Sequence, residues 1–134
     1  MSYSTYAAFV SGLAGLTISG VTRKYTEPPG VVGDADMPIS YPRITSQSNE
    51  TLTIGQVGGL DQGTADLVVV LEREEVNSNA ANFAATVAMV DAINTAMKAA
   101  IDDLGIDRWE IRPEDVTIGQ SSCWALVVTV EASG

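Results

Sequence analysis

The chain has 134 residues and a formal net charge of −10, from 17 acidic and 7 basic side chains, with one cysteine and no histidine. That length suits one domain, and at 6% aromatic residues the core must be built mainly from Val, Ile, Leu and Ala. A single cysteine excludes an internal disulfide; the lack of histidine excludes the common zinc sites and the Ser–His or Cys–His nucleophile pairs.

The balance of charge speaks to partners. Gripping nucleic-acid phosphates takes several converging cations, and the only adjacent pair here is Arg23-Lys24. An acidic surface instead repels phosphate and lets a strand slide past. Met1-Ser2-Tyr3-Ser4 carries neither the basic segment nor the apolar run of a secretory signal, so a chain made and used in a reducing compartment is expected. No stretch reaches about 18 apolar residues, so no membrane span is expected.

In chain order, Tyr6, Phe9, Val10, Leu13 and Leu16 recur at helical spacing and predict a short helix over Ser4–Leu16. Ser2 or Ser4 is its expected cap, and Gly12 and Gly15 weaken its end. Ile18–Tyr25 reads as a first strand. Residues 26–65 hold Pro28, Pro29, Pro38 and Pro42 with Gly30, Gly33, Gly55, Gly58, Gly59 and Gly63, which implies a loop-rich segment around short strands near Ile39–Ile44 and Leu52–Val57. Residues 45–63 are expected to form an arm that orders on assembly.

Asp66–Glu74 is the clearest strand. Leu67-Val68-Val69-Val70-Leu71 is apolar on both faces, the mark of a central, doubly covered strand. At its end Arg73 stands among Glu72, Glu74 and Glu75, as a salt-bridged subunit contact or as an exposed charged tip. Glu72, Arg73 and Glu74, with Arg43 on the earlier strand, are the candidate subunit-interface residues.

Asn77-Ser78-Asn79 offers caps for a helix of about 25 residues, roughly 38 Å long at 1.5 Å per residue. Phe83, Val87, Val90, Met97, Ile101 and Leu104 repeat at three- and four-residue steps, with Ile93 or Asn94 between, and Gly105 stops the helix. Ile106–Arg112 alternates, with Trp109 and Ile111 on one side. Pro113-Glu114-Asp115 reads as a turn and Val116–Ile118 as a short strand. Cys123–Glu131 is the last strand, with Trp124, Leu126, Val128 and Val130 opposite Ala125, Val127 and Thr129. This order implies an α+β domain over residues 1–134: a mainly antiparallel sheet with a short N-terminal helix and one long helix packed on it.

Two helices on one face of a sheet leave its other face open, and each wet Val or Leu forgoes about 1.5–3 kcal/mol. A neighbouring subunit is one cover; residues 26–65 folding back are the other.

Little in the chain points to chemistry. Cys123, beside Trp124 at the start of an apolar strand, is expected to be a buried structural thiol. The close acid pairs, Asp34 with Asp36, Asp102-Asp103, Glu74-Glu75 and Glu114-Asp115, lie in no EF-hand pattern and read as solvated turns or helix ends. The glycines show neither Walker A nor GxGxxG spacing. Asn49-Glu50-Thr51 matches a glycosylation sequon, which means little without a secretory signal. Trp109 and Trp124 are interface anchors or core residues. No catalytic residue, metal site or cofactor is expected, and the chain is not expected to be an enzyme.

The layout nevertheless has a likeness. A helix runs into Gly20-Val21; Glu27-Pro28-Pro29-Gly30-Val31-Val32 precedes Asp36-Met37-Pro38; the Leu67–Leu71 strand leads through Asn77 into a long Ala-rich helix; and Trp109-Glu110-Ile111-Arg112-Pro113 precedes a strand ending Val127-Val128-Thr129-Val130-Glu131. Over nearly the whole chain this resembles the tail-terminator (tail-completion) proteins of long-tailed bacteriophages. The resemblance implies a structural virion protein, made in the host cytoplasm and housed at the tail–neck junction. It implies an α+β subunit of a hexameric ring that caps the tail tube, stops its growth and joins it to a neck or head-closure protein, with DNA passing through unbound. Alternatives are another neck or head-closure adaptor, a small-molecule-binding or regulatory α+β module with a closed apolar pocket, and an enzyme using acids such as Asp34 and Asp36 with a divalent cation.

Overall fold

The structure, a computed structural model, describes residues 5–30, 37–51, 59–73 and 79–133. Helix α1 (Tyr6–Ala14) is followed by the two-residue strand β1 (Arg23–Lys24), strands β2 (Ile39–Thr51) and β3 (Gly59–Arg73), helix α2 (Asn79–Leu104), and strands β4 (Ile106–Ile118) and β5 (Ser121–Ser133). They form one five-stranded sheet in the order β1-β2-β3-β5-β4. Only β1 with β2 is parallel; the other three pairings are antiparallel. The expected α+β class, with a short helix and a long one on a mostly antiparallel sheet, is what the chain adopts.

Both helices lie on one face, α1 over β2 and β3, α2 over β4 and β5. The main core lies between. Phe9 and Leu13 of α1 and Met89, Ile93, Met97 and Leu104 of α2 meet Leu67, Val69, Leu126, Val128 and Val130 of the two central strands. The helices touch where Gly12 leaves room: a Cβ there would stand 2.5 Å from Leu104 Cδ2. Gly12 thus leaves room for the tip of the Leu104 side chain.

The other face is buried too. Ile39, Tyr41, Val68, Val70, Val116, Ile118, Cys123, Ala125 and Val127 form a second core, with Tyr25 and Met37 packed against it. The chain itself therefore covers the apolar half of this face, with Tyr25 and Met37 packed against it. No neighbouring subunit is needed there. Ala65–Val70 are all buried, as expected for a doubly covered strand, and Cys123 is a buried thiol.

Several boundaries differ from the sequence reading, each for a physical reason. Thr5 caps α1, its Oγ1 accepting from Ala8 N at 3.1 Å, in place of Ser2 or Ser4. Ile18–Tyr25 is mostly turn: Gly20 has φ 93° and Val21 N donates to Ile18 O, leaving a strand only at Arg23–Lys24. Pro113-Glu114-Asp115 lies within β4 and not in a turn. β4 is the sheet's outer strand, and an edge tolerates proline because the missing N–H need not serve a ladder. The turn comes later, at Gly119 (φ 62°) and Gln120. Leu52–Val57 lies outside the described residues. Residues 45–51 and 59–63 fall in β2 and β3, with Ser46 to Thr51 paired back to Thr64 to Gly59 within the single chain, and the last rungs reach beyond the first β5 partner, Gln62.

α2 turns inward only part of the set its large apolar residues suggest: Ile93, Met97 and Leu104 are buried as expected, while Phe83, Val87 and Ile101 are not. Its buried line is Met89, Ile93, Ala96, Met97, Ala100 and Leu104. Phe83 is 71% exposed, Val87 47% and Ile101 40%.

Candidate functional site

Of the residues proposed as subunit contacts, Arg43 lies apart from Glu72 and Arg73 in the sheet. Glu72 and Arg73 close β3, opposite Trp124 and Cys123, with their side chains outside the described set. Glu74 lies outside the described residues. Arg43, on β2, is separated from β4 by two strands yet belongs to a cluster that reaches it.

That cluster occupies the polar half of the second sheet face. Register places Arg43 of β2 beside Asp66 of β3, and Asp66 beside Thr129 of β5. Arg43 donates from Nε and Nη2 to Asp66 Oδ2 at 2.9 and 2.7 Å, and Nη2 reaches Glu114 Oε2 at 3.4 Å. Thr129 Oγ1 donates to Asp66 Oδ1 at 2.9 Å and accepts from Arg112 Nη1 at 2.7 Å. Asp66 is 4% exposed, while about 37% of the Arg43 side chain stays open. Burial works against the Arg43 charge, but Asp66 and Glu114 outweigh it and hold its proton above the ordinary range. The cluster stitches four strands across the sheet. Both oxygens of Asp66 already have partners, so it resembles a structural fastening more than a reactive centre. Sequence reasoning missed it because Asp66, Thr129 and Arg112 meet only once the register is known.

Among the described residues, two apolar surfaces stay open. The first is the outer stripe of α2: Phe83, Val87 and Ile101, with Val90 half-buried at its margin. The two tryptophans flank the helix beneath. Trp124 Nε1 donates to Thr86 Oγ1 at 3.2 Å and Trp109 Nε1 to Asn94 Oδ1 at 2.9 Å, so both are half-buried props of α2. The second is a groove of about 210 Å³ at the β2 side of the molecule, lined by Val10 of α1, Thr26, Glu27 and Pro28, and Pro42, Arg43 and Ile44. Ile44 is 73% exposed at its rim.

Among the described residues, no group of three or more His, Cys, Asp or Glu is placed to hold a metal ion. Asp34 and Asp36 lie outside them. No described helix is long and apolar enough to cross a membrane. Comparison with protein-family models and with curated proteins finds no match.

Proposed function

We propose that this chain is a structural ring subunit of the tail-terminator kind, which caps the tail tube of a long-tailed phage and joins it to the neck without doing chemistry. The observation that carries the reading is the pair of apolar surfaces left open by one protomer, the α2 stripe and the Ile44 groove. They replace the second sheet face as the reason to assemble, since the chain covers that face itself. Large side chains left in water favour a partner at about 1.5–3 kcal/mol each. The acidic surface suits a collar through which DNA passes without being held. The sequence layout supplies the family likeness, and the α+β fold agrees with it.

The groove does not favour a small-molecule module: at about 210 Å³ it is smaller than the roughly 300–1,000 Å³ of ordinary ligand pockets. The test is a phage deprived of the chain. Tails of uncontrolled length are the expected result. Tails of normal length that fail to join heads would instead mark a neck adaptor, and normal infectious virions would end the structural reading.

A further inference from the structure

β4 is an outer strand of the sheet, and no described strand pairs with its far side. Ser133 N donates to Gly105 O at 3.0 Å. Successive residues of a strand turn their backbone groups to alternate sides, so Glu131, Thr129, Val127 and Ala125 also face β4 with their N–H and C=O. Their partners are Arg108, Glu110, Arg112 and Glu114. The residues between, Trp109, Ile111 and Pro113, therefore aim their backbone groups outward. Pro113 is exposed in this row. It offers a C=O but no N–H, and its ring stands where a further strand would lie.

The charges of β4 invite such a strand. Arg112 and Glu114 stand opposite Val127 and Ala125 of the second core, so Arg108, Glu110, Arg112 and Glu114 share that sheet face with alternating sign. Let two copies of β4 run antiparallel with Ile111 on the two-fold axis. Arg108 of each then meets Glu114 of the other, and Glu110 meets Arg112. Opposite charges directly across favour strand pairing; only beyond these rungs would Asp107 meet Asp115. The side chains are free to turn. Arg108 and Glu110 are 63% and 64% open, and the Arg108 ion pairs within one copy are long, at 3.4 and 3.9 Å. Arg112 holds the neutral Thr129 hydroxyl. In this same register Pro113 falls opposite Trp109 on both sides of the axis. The Trp109 C=O of each copy would lose its donor, and each proline ring would press on the other strand.

We infer that Pro113 is a guard on the β4 edge: it keeps two copies of this chain from fusing their sheets, a pairing that the charges of the strand otherwise favour. Proline on an outer strand is a general means of blunting an edge; here it sits where the self-complementary register needs a donor. An isologous pair stops at two copies, so an unguarded edge would compete with growth of a ring. The guard goes beyond the ring reading and does not depend on it.

The test restores the donor. Pro113→Thr and Pro113→Ala each supply an N–H at an exposed position, so circular dichroism should match the wild type. Amide hydrogen exchange at Trp109 and Ile111, followed across protein concentration, reads this edge whatever other contacts the chain makes. In the wild type both amides should exchange at a rate independent of concentration. In Pro113→Thr their exchange should slow as concentration rises, since the two hydrogen bonds regained per pair strengthen pairing by about tenfold or more. Pro113→Ala should do the same more weakly, alanine being the poorer strand former. Adding Glu110→Lys to Pro113→Thr should abolish the protection by setting like charges against Arg112, and adding Arg112→Glu as well should restore it. Concentration-dependent protection of Trp109 and Ile111 in the wild type overturns the guard. So does exchange in both Pro113 variants that stays at the wild-type rate. Protection in Pro113→Thr that ignores Glu110→Lys overturns the charge-directed register.

Discussion

Asp66 shows how a single carboxylate is partnered inside a sheet. It is almost fully buried, and the two Arg43 bonds and the Thr129 hydroxyl occupy its oxygens. Removing Arg43 leaves a buried anion with one neutral donor. Breaking a fully buried pair costs about 3–5 kcal/mol; Arg43 keeps over a third of its side chain in water, so Arg43→Ala should cost about 2 kcal/mol. Arg43→Lys should recover part of it, since an ammonium cannot reproduce the two-nitrogen grip. Urea unfolding of the monomer measures both. An unchanged midpoint for Arg43→Ala would assign this arginine to contacts between chains alone. Tyr41 gives a pH signature beside it. Burial raises its phenol above the usual 10.0, against the opposing pull of Arg43. A raised folded value means that the folded chain holds the proton more tightly. This stabilisation is complete below about pH 10 and fades as pH climbs through the folded value. Tyr41→Phe should remove that share of the alkaline loss, read from melting temperatures across pH 9–12; an identical alkaline decline in the variant would show that Tyr41 plays no part.

At the scale of elements, the helix contact at Gly12 makes a sharp prediction. Gly12→Val puts a branched side chain where Leu104 Cδ2 already stands, and overpacking of this sort costs about 1–3 kcal/mol. Leu104→Ala in the same chain should return part of the loss by vacating the space, a coupling that a double-mutant cycle measures. The sequence showed α2 clearly because it has limits: Asn77 to Asn79 before it and Gly105, at φ 66°, after it. It did not show which side α2 turns inward. A helix with no charge over Asn79–Val90 has no polar side to mark the outside. Fit decides instead, and Ala96 and Ala100 face inward with Met89, Ile93 and Met97, leaving Phe83 outside. The central strands were legible from Leu67–Leu71 and Leu126–Val130, where apolar residues on both faces allow no other place. β4 was cut in two at Pro113 because a proline followed by two acids signals a turn, and only its edge position overrides the signal. The cover over the second core was not legible, since it depends on where Tyr25 and Met37 land on either side of a Pro- and Gly-containing stretch.

The whole molecule is governed by its charge. A ring of six copies would gather six charges of −10 in one collar, and repulsion between like-charged bodies opposes closure. Burial of the apolar surfaces that one protomer leaves open must offset that repulsion. Salt separates the two. Raising ionic strength from about 0.01 M to 1 M shortens the screening length from roughly 30 Å to 3 Å, which removes the long-range repulsion between copies while apolar burial persists. Exposed ion pairs between copies would weaken as well, but such pairs contribute only about 0–1 kcal/mol each. Assembly measured by sedimentation should therefore strengthen with salt. Neutralising the acids beside the stripe tests the same balance from the other side: Asp102→Asn should favour assembly at low salt if repulsion dominates, and change it little at high salt. Assembly that dissolves as salt rises would mean that ion pairs, and not apolar burial, hold the copies together.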